Sequence, residues 1–93
     1  MCAAHIRMHL LTPTGMCQER LEMDVGKGLR LDKLLVSLDD KGILEKGFFK
    51  AVVKGKRGVT LLRNGERLDV SDSRKTDIND EDTLVILSPI TGG

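Results

Sequence analysis

The sequence contains no tryptophan or tyrosine and only two phenylalanines. Readers of single-stranded nucleic acid stack bases on aromatic rings, so that mode of recognition has no platform here. Charge of one sign is also missing. The 15 Lys and Arg residues against 14 Asp and Glu leave a formal net charge of +1, which gives neither nucleic acid nor an anionic membrane a reason to be the main partner. The two cysteines, Cys2 and Cys17, form no CxxC pair and are too few for a disulfide framework. A reducing, cytoplasmic setting is the expectation. No stretch approaches the ~18 apolar residues of a membrane span. Residues 1–5 carry no apolar run behind a basic region, so no signal peptide is expected.

Catalytic and metal signatures are equally scarce. No nucleophile–base–orienter set and no phosphate-binding glycine loop can be found. His5 and His9 lie on one face of an alternating run but lack a third ligand. The acidic stretch from Asp77 to Asp82 lacks the glycine and the final glutamate of an EF-hand loop. The basic cluster Lys54, Lys56 and Arg57 reads as a solvated loop.

What is present is a pattern of periods. The 93 residues are expected to form one domain, 1–93. Ile6, Met8 and Leu10 alternate with His5, Arg7 and His9, and Leu21, Met23 and Val25 alternate with Arg20, Glu22 and Asp24. Two runs of period two across Pro13-Thr14-Gly15 predict an N-terminal β-hairpin. The period then changes. Leu31, Leu34, Leu35 and Leu38 mark one face of an amphipathic helix, with Asp32 in its first turn, no capping box, and Gly42 as its stop. This helix should lie across the sheet. Between 43 and 58 the spacing of Leu44, Phe48 and Val52 fits a short helix, and Phe48 to Val53 fits a strand equally well. Residues 59–63 predict a strand, Asn64-Gly65 a hairpin turn, and 66–70 its return. Residues 71–83 read as loop, with Ile78 as a core anchor. The run from Thr83 to Leu87 predicts a final strand, placed beside the first in the middle of a mixed sheet. The fold class is α+β, with four to five strands and one main helix packed across one face.

The chain then ends Ser88-Pro89-Ile90-Thr91-Gly92-Gly93. The segment from Asp80 to Gly93 resembles the ubiquitin-like β-grasp sulfur carriers of the ThiS/MoaD family. It shares their acidic turn, hydrophobic strand, proline, two linker residues and terminal Gly-Gly. Residues 57–65, Arg-Gly-Val-Thr-Leu-Leu-Arg-Asn-Gly, resemble the family's third strand and its Asn-Gly turn, and the Leu34-Leu35 pair fits its helix. Length and the insert at 43–58 are closer to the MoaD and CysO-type members. Three departures stand out. Glu81 occupies a position where the family usually has Gly, Ser88 replaces the first residue of a common Pro-Pro, and the helix start lacks its usual Ser or Thr.

The resemblance implies a function without an active site of its own. A ThiF/MoeB-like adenylating enzyme activates the carboxylate of Gly93, a sulfur donor converts it to a thiocarboxylate, and a sulfur-acceptor enzyme receives it. The acceptor would be a molybdopterin-synthase large subunit or a cysteine-synthase-type enzyme. The tail, 89–93, with Thr91 and Gly92 leading to Gly93, is the presented element. Leu87 and Ile90, with Pro89 and Leu62, are the implied partner contacts. The carrier itself would need no cofactor or metal. A ubiquitin-like modifier, joined to lysine through Gly93, suits the same tail. An interaction domain that never activates its terminus is a third possibility.

Overall fold

The computed structural model describes residues 2–12 and 15–88. The predicted hairpin is present as β1 (Ala3–Thr12) and β2 (Gly15–Asp24), two antiparallel strands in unbroken register from Ala3 opposite Asp24 to Thr12 opposite Gly15. Strand β2 begins two residues earlier than the alternation suggests, because pairing with Leu10, Leu11 and Thr12 carries Cys17, Met16 and Gly15 into the ladder. A two-residue strand, β3 (Leu29–Arg30), leads into helix α1 (Leu31–Leu38).

All four predicted leucines of α1 are fully buried, in one cluster with Ile6, Met8 and Leu10 of β1. Each such side chain contributes roughly 1.5–3 kcal/mol through removal from water. As the sequence implies, α1 has no side-chain cap. A short 3₁₀ turn, Asp39–Lys41, continues it, and the helical path stops at Gly42 in the left-handed conformation (φ +68°). The ambiguous segment resolves as a second helix, α2 (Phe48–Val53). Phe49 and Val52 face the core, and Gly47, at φ +83°, sits just before the helix rather than inside it.

The second hairpin is β4 (Thr60–Arg63) and β5 (Glu66–Leu68), joined through Asn64 at φ +51° and Gly65 at φ +86°. Two positive φ values in succession are the signature of the tight turn that Asn-Gly favours. The return strand stops at Leu68 rather than running through the expected 66–70, and the reading of 71–83 as loop and turn is corrected. Val70–Arg74 forms a 3₁₀ helix, and β6 (Asp77–Ile78) pairs antiparallel with β3, so a small second sheet closes one end of the core. Ile78 is fully buried, as expected of the anchor.

Strand β7 (Thr83–Leu87) takes the central place. The five-stranded sheet runs β2-β1-β7-β4-β5, with β7 parallel to β1 and antiparallel to β4. Leu84 and Ile86 are fully buried beneath it, while Val85 and Leu87 face outward and are half-buried.

Candidate functional site

The outer sheet face and the point where β7 releases the chain make up the site. On that face Val85 lies opposite Leu62 of β4 on one side and Arg7 of β1 on the other. Leu62 in turn faces Arg67 of β5, and Arg7 faces Arg20 of β2. One row therefore crosses all five strands as Arg20, Arg7, Val85, Leu62, Arg67. In the next row Leu87 lies between His9 and Thr60. The result is a narrow aliphatic strip, Val85, Leu62 and Leu87, bordered by exposed arginines. Aliphatic groups held half-exposed by a rigid sheet, with cations around them, form a surface suited to protein contact.

The start of β7 is tightly held. The Asp82 carboxylate accepts from the Asn79 N–H at 2.9 Å, from Asn64 Nδ2 at 3.0 Å and from Arg63 Nε at 3.3 Å. Burial pushes the Asp82 carboxyl up, but the Asn79 and Asn64 hydrogen bonds and the Arg63 guanidinium outweigh it and hold its pKa below the ordinary value. At its other end β7 is held one residue further than its strand pairing. The Ser88 N–H donates to the His9 carbonyl at 3.1 Å, and the Ser88 hydroxyl oxygen accepts from the Leu11 N–H. A proline in this position could not make the first bond. Ser88, a departure from the family pattern, thus keeps the chain laced to β1 up to the last residue before Pro89.

Ser88 also lines an open groove of about 640 Å³ with Leu11, Ile43, Leu44, Phe48 and Val59. Arg57 borders it, its guanidinium 5.1 Å from the centre of the Phe48 ring and ion-paired with Glu45. The basic loop is therefore tied down at Arg57, while Lys54 and Lys56 remain exposed.

Of the residues expected to carry function, Leu62 and Leu87 stand on the same face, two residues out of step along adjoining strands. Pro89, Ile90, Thr91, Gly92 and Gly93 lie outside the described residues. Sequence reasoning passed over Val85, at the centre of the row, and the three arginines that border it. Alternation along 83–87 sets Val85 on the same face as Leu87, but only the strand order reveals its neighbours. His5 is engaged with Glu22 at 3.5 Å. Among the described residues, no three of His, Cys, Asp and Glu are grouped to hold a metal, and no helix is long and apolar enough to cross a membrane. Cys2 and Cys17 are free thiols, half-buried against the core. Burial, with Glu19 nearby, raises the Cys17 pKa. That keeps it as a thiol rather than the thiolate that sulfur chemistry requires.

No family profile and no curated protein matches the chain. Solved structures share its fold. The Haloferax volcanii HVO 2177 protein superposes with a TM-score of 0.52 at 20% identity, covering 98% of this chain and 88% of its own. The small archaeal modifier protein 1 (SAMP1) from Methanosarcina acetivorans superposes with a TM-score of 0.51 at 24% identity, covering 98% of both chains. At these identities the likeness is one of fold. The chain is a ubiquitin-like β-grasp, a mixed five-stranded sheet with one main helix.

Proposed function

We propose that this small ubiquitin-like protein is a sulfur carrier whose Gly93 carboxylate is activated by a ThiF/MoeB-like enzyme in the cytoplasm. The observation that supports this reading most directly is the placement of β7. It is the central strand, hydrogen-bonded on both sides and held at both ends, and it delivers the chain at Ser88 directly into Pro89-Ile90-Thr91-Gly92-Gly93.

The chemistry places few demands on the carrier. The carboxylate attacks the α-phosphorus of ATP and pyrophosphate leaves, giving an acyl-adenylate. The terminal sulfur of a donor persulfide attacks the carbonyl and AMP leaves. A second thiol then cleaves the sulfur–sulfur bond, leaving the thiocarboxylate and a disulfide on the donor side. Acids, bases and metal belong to the partners. The carrier supplies a tail narrow enough to enter a nucleotide site, which two residues without Cβ provide, and a docking face, the Val85–Leu62–Leu87 strip with Ile90 and Pro89 beyond it. Delivery to a molybdopterin-synthase-type or cysteine-synthase-type acceptor completes the cycle.

Incubation with ATP, a ThiF/MoeB-like enzyme and a persulfide donor should raise the intact mass by the exchange of one oxygen for sulfur at Gly93. A carboxylate left unchanged under those conditions overturns the reading. The alternative is a protein modifier, favoured by the fold shared with an archaeal protein named for modification. It predicts a Gly-Gly remnant on target lysines in the native cell.

A further inference from the structure

We infer that two copies of this chain pair through the free edge of β2, antiparallel and centred on Leu21. Strand β2 is an outermost strand of the sheet and ten residues long. Exposed edges are ordinarily kept short, bulged or interrupted by proline because unpaired backbone groups template further strands. The opposite edge, β5, follows that rule with three residues. Strand β2 does not, since its register with β1 is continuous and it contains no proline.

The backbone direction identifies which groups are free. The His5 N–H is given to the Asp82 carbonyl, and the His9 carbonyl accepts from Ser88, so the odd-numbered residues of β1 turn toward β7. Its even-numbered residues bond β2 at positions 17, 19, 21 and 23. The amides and carbonyls of Gln18, Arg20, Glu22 and Asp24 consequently point away from the sheet.

Charge selects the register. A two-fold pairing that keeps both helices on one side must centre on a residue. Centring on Glu19, Arg20 or Glu22 sets that charge against its own copy, which is unfavourable. Centring on Leu21 instead brings Arg20 against Glu22 twice, Leu21 against Leu21, and Gln18 against Asp24, and it matches the free backbone groups of Gln18, Arg20, Glu22 and Asp24 with one another. Arg20 has reason to seek such a partner. It is exposed, lies opposite Arg7, and makes no ion pair among the described residues. Among the described residues Glu22 is ion-paired with His5 alone, at 3.5 Å, and its side chain is 67% exposed. The pairing joins two sheets into one at an edge two strands away from β7.

Sedimentation equilibrium of the full chain from about 10 µM to about 1 mM tests this, since a single paired edge is a small interface of the weak, concentration-dependent class. The mass should rise from 10.3 kDa toward twice that value. Arg20→Glu should weaken the dimer at least about tenfold, because two opposite-charge pairs become like-charge pairs. Its fold should hold, with a carboxylate now facing Arg7. Arg20→Glu combined with Glu22→Arg should restore the wild-type association. Arg67→Glu, which alters net charge equally on the far edge, should leave it unchanged. A wild-type chain monomeric throughout, or a dimer indifferent to Arg20→Glu, overturns the inference.

Discussion

Asn64 and Asp82 hold each other across one end of the sheet. Asn64 Nδ2 donates to Asp82 Oδ1 at 3.0 Å, and Asn64 Oδ1 accepts from the Thr83 N–H at 2.9 Å. The tight turn between β4 and β5 is thereby fastened to the residue that opens β7. The Asp82 carbonyl also accepts from the His5 N–H at 2.8 Å, which brings β1 into the same junction.

The first prediction follows from this junction. Asp82→Asn replaces an acceptor oxygen with a donor beside the Asn79 N–H, Asn64 Nδ2 or Arg63. It should destabilise the protein by about 2 kcal/mol, the cost of breaking charge-assisted, largely buried hydrogen bonds. Acid should act on the same group and on Asp32. Burial pushes the Asp32 carboxyl up, but the Arg30 guanidinium at 2.6 Å, the Lys33 N–H and the more distant Arg74 lower it on balance. Both carboxylates titrate below their unfolded value of about 3.9. Their stabilisation is therefore complete above that pH and is lost as pH falls through it toward the folded values. Urea unfolding should show stability nearly constant above about pH 5 and declining below about pH 4. The decline should be shallower in Asp82→Asn.

Glu81 provides a second test. Its φ is +66°, the left-handed region, and its N–H donates to the Ala3 carbonyl at 2.8 Å. A side chain in that conformation costs about 1–2 kcal/mol, which glycine avoids. Glycine gives back part of this gain, about 0.4–1 kcal/mol, through a freer unfolded chain. Glu81→Gly should therefore raise stability by about 0.5–1 kcal/mol, and Glu81→Val should lower it by a similar amount. Thermal unfolding of the two variants checks the sign. This position is where the resembled family carries glycine, and the backbone angle explains why.

Adjacent residues of β7 should respond in opposite ways. Ile86 is fully buried, and Ile86→Ala should cost about 2–5 kcal/mol by leaving a cavity. Leu87 and Leu62 are half-buried on the other face. Leu87→Glu or Leu62→Glu should keep the fold, as seen by circular dichroism, while slowing adenylation about tenfold or more, the effect expected of a central interface residue. Normal adenylation in both variants would remove the outer strip from the docking surface.

Gly93→Ala separates presentation from folding. Its urea midpoint should match the wild type, since Gly93 stands six residues beyond Leu87, the last residue of β7. Under the proposed function activation should fall, because a Cβ is added beside the carboxylate to be activated. Loss of folding in this variant would contradict a tail that serves only to be presented.

Much of the fold could be read from periodicity because burial imposes it directly. The alternation at Ile6, Met8 and Leu10 and the leucine stripe of α1 are the core itself. The 71–83 segment could not be read in this way. Its strand β6 is two residues long and exists only because β3 is there to pair with it. Helix α2 was ambiguous for a related reason. Its second and third amides, those of Phe49 and Lys50, are satisfied by Asp39 at 2.9 and 3.1 Å, from a different element about ten residues upstream. A cap supplied at that distance leaves no local signal.

The sequence by itself determined the buried alternation of β1 and the buried leucine stripe of α1, where the chain turns at Asn64-Gly65 and Gly42, and that an apolar strand leads into two final glycines. Local chemistry is enough for these, since a period or a positive φ is a property of neighbouring residues. The tertiary structure alone decided that Val85 stands between Arg7 and Leu62, that Asp82 joins three strands, and that β2 is an outermost strand of the sheet. Those are relations between residues far apart in the chain, and they arise only when long-range pairing sets strand order and register.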